Sequence, residues 1–119
     1  MSALDLAMQG VATVERFARS AVDQYRNEIT EPLYSAHDAG DATIEQVLQA
    51  EDGWSLYTGA LADAVDSFIL TPAPDLASVV AKIEMGIDDG AFDGSAEAER
   101  MLRVLADDIR RLANVGCNA

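Results

Sequence analysis

Nucleophilic and acid–base chemistry at neutral pH favours an imidazole or a thiol, and this sequence holds one of each, His37 and Cys117. Nucleophilic triads and most zinc sites need histidine to have company. Asp38, Asp41 and Tyr34 are near enough in sequence to orient an imidazole, but the plainer reading is a solvent-facing residue near a helix end, and we adopt it. Cys117 lies among the last three residues, far from His37 in sequence, so we expect no Cys–His pair. A zinc site would have too few soft ligands.

Carboxylates are the abundant reactive groups. Glu51-Asp52, Asp63 with Asp66, Asp88-Asp89 and Asp107-Asp108 are paired in sequence. Such pairs do acid–base work when burial raises the pKa of one member. On the helices of an acidic chain they ordinarily form a solvated face, which is our expectation. The stretch Asp89 to Arg100 has a partial likeness to a calcium loop. Asp89, Asp93, Gly94, Ser95 and Glu97 fall at its first, fifth, sixth, seventh and ninth places. The third place is Ala91, and the twelfth, where a bidentate Glu belongs, is Arg100. A turn followed by an acidic helix start explains the stretch better. We therefore assign no metal and no cofactor. No phosphate-binding glycine loop, Walker motif or nucleophile elbow is present. No catalytic residue is assigned, and we read the chain as not an enzyme.

The remaining candidate is aromatic. Trp54 and Tyr57 stand between Gly53 and Gly59. Glycines beside large rings can shape a pocket or an interface anchor. Core packing is the competing account, since both rings fall on an apolar helical stripe.

The elements that must position these residues are helical. The chain has 119 residues, 50% hydrophobic but only 6% aromatic, so its core must come from aliphatic side chains. A single domain over residues 1–119 fits that length. Apolar residues recur at helical spacing over about 3–29, through Val11, Val14, Ala18, Ala21, Val22, Tyr25 and Ile29. Ser2 and Asp5 have capping-box spacing at its start. Pro32 then either kinks the helix or starts a short one over 32–38. Ala39-Gly40-Asp41 reads as a turn.

A second helix is expected over about 43–70, with Thr43 and Gln46 as its capping box. Its apolar face is Val47, Trp54, Tyr57, Leu61, Val65, Phe68 and Ile69. Thr71-Pro72-Ala73-Pro74-Asp75 breaks the chain, with Pro74 in the first turn of a third helix over about 75–88. Leu76, Val79, Val80, Ile83 and Ile87 form its stripe. After the loop 89–94, Ser95 caps a fourth helix over about 96–113, with Gly116 as a stop signal. Ala98, Met101, Leu102, Leu105, Ile109 and Leu112 form its inner face. No strand is indicated. The fold class is therefore all-α, an antiparallel bundle of four main helices in which a long hairpin packs with a shorter one. Part of the long pair would stay uncovered, so we expect a homodimer.

At the double proline the sequence also resembles a known group. The run Thr71-Pro72-Ala73-Pro74-Asp75-Leu76-Ala77, the step Lys82-Ile83-Glu84 and the closing Asp108-Ile109-Arg110-Arg111-Leu112 are similar to a pattern in uncharacterised small all-helical alphaproteobacterial proteins, often prophage-associated. The resemblance covers about residues 43–113. It implies an all-helical fold and a phage-linked or accessory role, and it brings no activity, cofactor or site residue. Lys82 is expected to be structural, its stem on apolar surface and its head on a Glu or a helix C-terminal carbonyl.

The charge balance limits the partners. With 21 acidic and 8 basic residues the formal net charge is −13. That disfavours direct nucleic-acid binding through phosphates and attraction to an anionic membrane. No basic region followed by an apolar run marks a signal peptide, and no apolar stretch is long enough for a span. A reduced, cytoplasmic protein is expected. Three functions stay open. The first is an interaction module binding a protein partner or itself. The second is an acidic decoy that occupies a nucleic-acid-binding protein. The third is a small-ligand binder or enzyme with a Trp54/Tyr57 pocket.

Overall fold

The computed structural model describes residues 2–118, with side chains as far as Val115. The fold is all-α, with antiparallel packing of four main helices. The elements are α1 (Ala3–Tyr25), a π-helical turn (Arg26–Thr30), α2 (Glu31–Asp38), α3 (Ile44–Leu70), α4 (Leu76–Asp88) and α5 (Ala96–Asn118). No strand occurs among the described residues.

Helix starts follow the local chemistry. The Asp5 carboxylate accepts from the Ser2 N–H at 3.1 Å, while the Asp5 N–H donates to the Ser2 hydroxyl at 3.1 Å. Thr43 and Gln46 make the same reciprocal pair at 2.8 and 3.3 Å. Each satisfies two backbone donors that the first helical turn leaves without intrahelical partners. Asp75 caps α4 by accepting from the Ser78 N–H at 2.8 Å, and Ser95 caps α5 by accepting from the Ala98 N–H at 3.1 Å. Because Asp75 is the cap, Pro74 lies outside the helix and not in its first turn.

Two helix ends close with the same pair of bonds. After α2, the Asp41 N–H donates to the Ala36 carbonyl at 2.7 Å and the Gly40 N–H to His37 at 3.0 Å. After α4, Ala91 donates to Gly86 at 2.8 Å and Gly90 to Ile87 at 3.3 Å. This Schellman geometry needs a left-handed residue, supplied by Gly40 at φ 82° and Gly90 at φ 68°.

Of the two expectations at Pro32, the short helix is the one found: α2 opens at Glu31 with Pro32 in its first turn, and the π turn joins it to α1 without a loop. The Glu31 N–H donates to the Arg26 carbonyl, five residues back. The longer loop widens the turn just ahead of a proline ring that would otherwise crowd the carbonyl four residues before it. The Thr30 hydroxyl adds a bond to the same Arg26 carbonyl at 3.2 Å. One expectation about continuity, at Gly116, needs correction: this residue does not stop α5, which continues to Asn118. A glycine weakens a helix by only about 1 kcal/mol relative to Ala, so it terminates one only where the chain turns.

The chain divides into two compact units, Met1–Glu15 with Asp63–Ala119, and Arg16–Ala62. The core of the first is Met8, Ala64, Val65, Phe68, Ile69, Ala73, Val79, Ala98, Met101 and Leu105. In the second, Val22, Val47 and Ala50 are buried, with Thr30 beside them in burial. Val14 and Ile29, expected on the inner stripe of the first helix, are exposed. No described helix is long and apolar enough to cross a membrane.

Candidate functional site

The aromatic candidate lies in the unit Arg16–Ala62 and is organised by a residue outside the group of four. Tyr25 ends α1 and reaches α3, where its hydroxyl donates to the Ala50 carbonyl at 2.8 Å. Its ring lies 4.8 Å from Tyr57 and 6.3 Å from Trp54, centroid to centroid. The Arg26 guanidinium stands 5.3 Å above the Trp54 ring, within cation–π range. Gly53 permits this arrangement, because a Cβ there would overlap the Tyr25 hydroxyl. Gly59 has no such role, since a Cβ there would meet nothing within 4 Å.

The rings do not form a sealed core. Tyr57 is exposed and Trp54 half-buried. An open cavity of about 530 Å³ lies beside them, lined by Phe17, Ala21, Gln24, Tyr25, Glu28, Ile29 and Tyr57. Tyr57 thus contributes to a cavity wall, while Trp54 backs Tyr25 from outside it. The polar side chains at this cavity are Gln24, Glu28 and the two tyrosines.

A second polar centre, in the other unit, was not legible as a centre. Lys82 of α4 is completely buried, and its Nζ donates to Asp108 Oδ2 of α5 at 2.7 Å. Asp108 Oδ1 accepts from the Ala73 N–H at 3.0 Å and from Arg111 at 2.8 Å. Burial pushes the Lys82 ammonium below its ordinary pKa, and the hydrogen bond and charge of Asp108 pull it back. Lys82 is structural in placement, as expected, but its partner is an aspartate and not a Glu or a carbonyl. Asp108, read as half of a solvated pair with Asp107, is buried instead, and only Asp107 faces solvent. One available signal was the joint presence of Ala73, Lys82, Asp108 and Arg111 in the Thr-Pro-Ala-Pro, Lys-x-Glu and Asp-x-x-Arg-Leu runs, since these four residues meet here.

This buried pair sets the rotation of α4. Its buried line is Val79, Lys82 and Gly86. Gly86 lies against the Phe92 ring, which occupies the space a Cβ would take. Of the expected stripe only Val79 is buried; the rest turns outward, with Leu76, Val80, Ile83 and Ile87 all exposed. In α5, Ala98, Met101, Leu105 and Asp108 are buried, whereas Leu102 and Ile109, expected inside, are exposed.

The other candidates fall as follows. His37 sits in the last turn of α2 and is half-buried, not solvent-facing. The Tyr34 hydroxyl donates to Glu51 at 3.2 Å and is engaged there. Cys117 lies outside the residues whose side chains are described. In the loop 89–95, hydrogen bonding from the Ser95 side chain, and then from the Ser95 N–H at 3.0 Å, holds the Asp93 carboxyl below the usual range. Among the described residues no group of three His, Cys, Asp or Glu side chains could hold a metal ion.

Fold and surfaces together define a class: a small all-helical protein with an internal ion centre, an aromatic cluster and exposed apolar helix faces. No family model, curated protein or solved structure matches the chain.

Proposed function

We propose that this chain is a non-catalytic interaction module that binds protein through apolar helical surface, either a second copy or another protein. The observation that carries this reading is the outward stripe of α4. Scattered exposed apolar residues are ordinary, but Leu76, Val80, Ile83 and Ile87 are contiguous on one helix. A cytoplasmic setting belongs to the same reading, because a chain with one cysteine needs no oxidising compartment. A phage-linked accessory role rests on the sequence resemblance alone.

The test is a comparison of two baits in host lysate, the tagged chain and its Val80→Glu/Ile83→Glu variant, washed at low and high salt. The self-association of both is followed by sedimentation. A wild-type chain that keeps a protein through high salt, or assembles with itself, supports the reading if the variant does neither. Two monomeric baits that return alone would sink it.

A small-ligand reading draws on one observation, the cavity beside Tyr25 and Tyr57. Its size and aromatic walls suit a flat apolar ligand. A ligand there would perturb Trp54 emission through the Tyr25 ring, and a fragment screen read by that emission tests it. The acidic-decoy reading draws on the net charge of −13. It ranks last, because carboxylates occur on every helix.

A further inference from the structure

We infer that the outer face of the α4/α5 hairpin takes a second copy of this chain, pairing α4 of each protomer with α5 of the other around a twofold axis. This rests on the interaction-module reading and names its partner. At about 100° per residue, Leu76, Val80, Ile83 and Ile87 fall within a sector of about 60° on α4. Leu102 and Ile109, seven residues apart, share a line on α5.

The loop 89–95 reverses the chain, so α4 and α5 run in opposite senses. Seen from the buried contact between them, both exposed lines lie in the same rotational direction around their helices. For two right-handed helices of opposite sense, equal rotations from the contact lead to the same side of the pair. The six residues therefore form one two-helix-wide face. It is open, with Leu76 64%, Ile87 67% and Ile109 49% exposed.

Area favours a specific interface. The six residues present on the order of 600 Å² per protomer, at the top of the ~300–600 Å² of a typical monomer's largest apolar patch. Covered in full on both protomers, that reaches the ~1,000 Å² expected of a specific interface.

The charged edges choose the partner. Beyond the stripe, the outer edge of α4 carries Glu84 and Asp88, and that of α5 carries Glu99, Arg103 and Arg110. Arg103 bonds Glu99 at 2.7 Å and Arg110 bonds Asp107 at 3.1 Å, but all four side chains are exposed, and each guanidinium has further donors to give. A twofold axis along the hairpin sets the acidic edge of each copy against the basic edge of the other, so one patch satisfies itself twice. An unrelated partner would need to reproduce both edges.

The test is the mass of the full-length chain by light scattering at about 100 µM, well above a micromolar Kd. The proposal expects a dimer that becomes a monomer in Val80→Glu/Ile83→Glu, with helicity unchanged by circular dichroism. It also expects Phe17→Glu, on α1, to stay dimeric. Glu84→Arg should weaken the dimer about tenfold, and Glu84→Arg with Arg103→Glu should restore it. A dimer that survives Val80→Glu/Ile83→Glu overturns this assignment and leaves the broader reading intact, since another surface then does the binding. A wild-type monomer also overturns it, and the broader reading then stands or falls on the lysate comparison. If Val80→Glu/Ile83→Glu loses its helicity, the charge exchange between Glu84 and Arg103 decides: no weakening and no rescue overturns the proposal.

Discussion

In the unit Arg16–Ala62, rings join the helices: Tyr25 packs on Tyr57 and Trp54, and its hydroxyl bonds α3. In the unit of residues 1–15 and 63–119, an ion centre joins them, Lys82 with Asp108, the latter also held by Ala73 and Arg111. The difference concerns tolerance. Ring contacts are summed over many small attractions and lose strength by degrees. A buried ion pair is all-or-none, because removing one partner leaves a charge in a medium that cannot solvate it. The ion-centred unit should therefore fail sharply on a single change, and the aromatic unit should bend.

The largest test of that contrast is Asp108→Ala. It strands the Lys82 ammonium and the Ala73 N–H together, and should cost about 3–5 kcal/mol in denaturant unfolding. Lys82→Met should cost clearly less, since Asp108 would keep Ala73 and Arg111. A loss from Asp108→Ala no larger than that from Tyr25→Phe would break the contrast between the two units.

Next comes a pair of glycines on α3. Gly53→Ala puts a Cβ into the Tyr25 hydroxyl, and overpacking of that kind costs about 1–3 kcal/mol, against a helix-propensity gain near 1. Gly59→Ala meets nothing and should stabilise by up to about 1 kcal/mol. Thermal melts of the two should shift in opposite directions. Tyr25→Phe alone should lose about 0.5–1.5 kcal/mol with its hydrogen bond, yet make Gly53→Ala cheaper. A double variant with strictly additive losses would show that the hydroxyl is not what Gly53 accommodates.

The smallest effect belongs to Asp66, whose carboxyl is raised above its usual 3.8 by desolvation and then by Glu97, Asp63 and Asp93. Between 3.8 and the folded-state value the folded chain binds more protons than the unfolded one. Its contribution to stability therefore falls as pH rises through that window and is restored below it. Asp66→Asn should raise the melting temperature slightly at neutral pH, with the gain vanishing below about pH 4. A gain that persists in acid would point away from charge.

The aromatic site was partly legible. Trp54, Tyr57 and Gly53 do come together, because residues three and four apart share a helix face. Tyr25, their organiser, stood in the sequence only as one apolar stripe residue. Its bond to Ala50 spans 25 residues, a separation no local pattern records. Gly59 was grouped with the site by proximity alone, and nothing approaches it.

What the residues determined by themselves is local. The boxes at Ser2/Asp5 and Thr43/Gln46, the cap at Ser95 and the turn at Gly40 each close within a few residues, so side-chain chemistry and spacing suffice to read them. The periodicity also determined that the chain is helical. Which side of each helix faces in was decided only in three dimensions. The cleanest apolar stripe, on α4, lies outside, because Lys82 one position away reaches an aspartate 26 residues distant. Hydropathy scores a lysine as surface, since its charge is costly to bury alone. The fold buries it by supplying the opposite charge, and that partner comes from another helix.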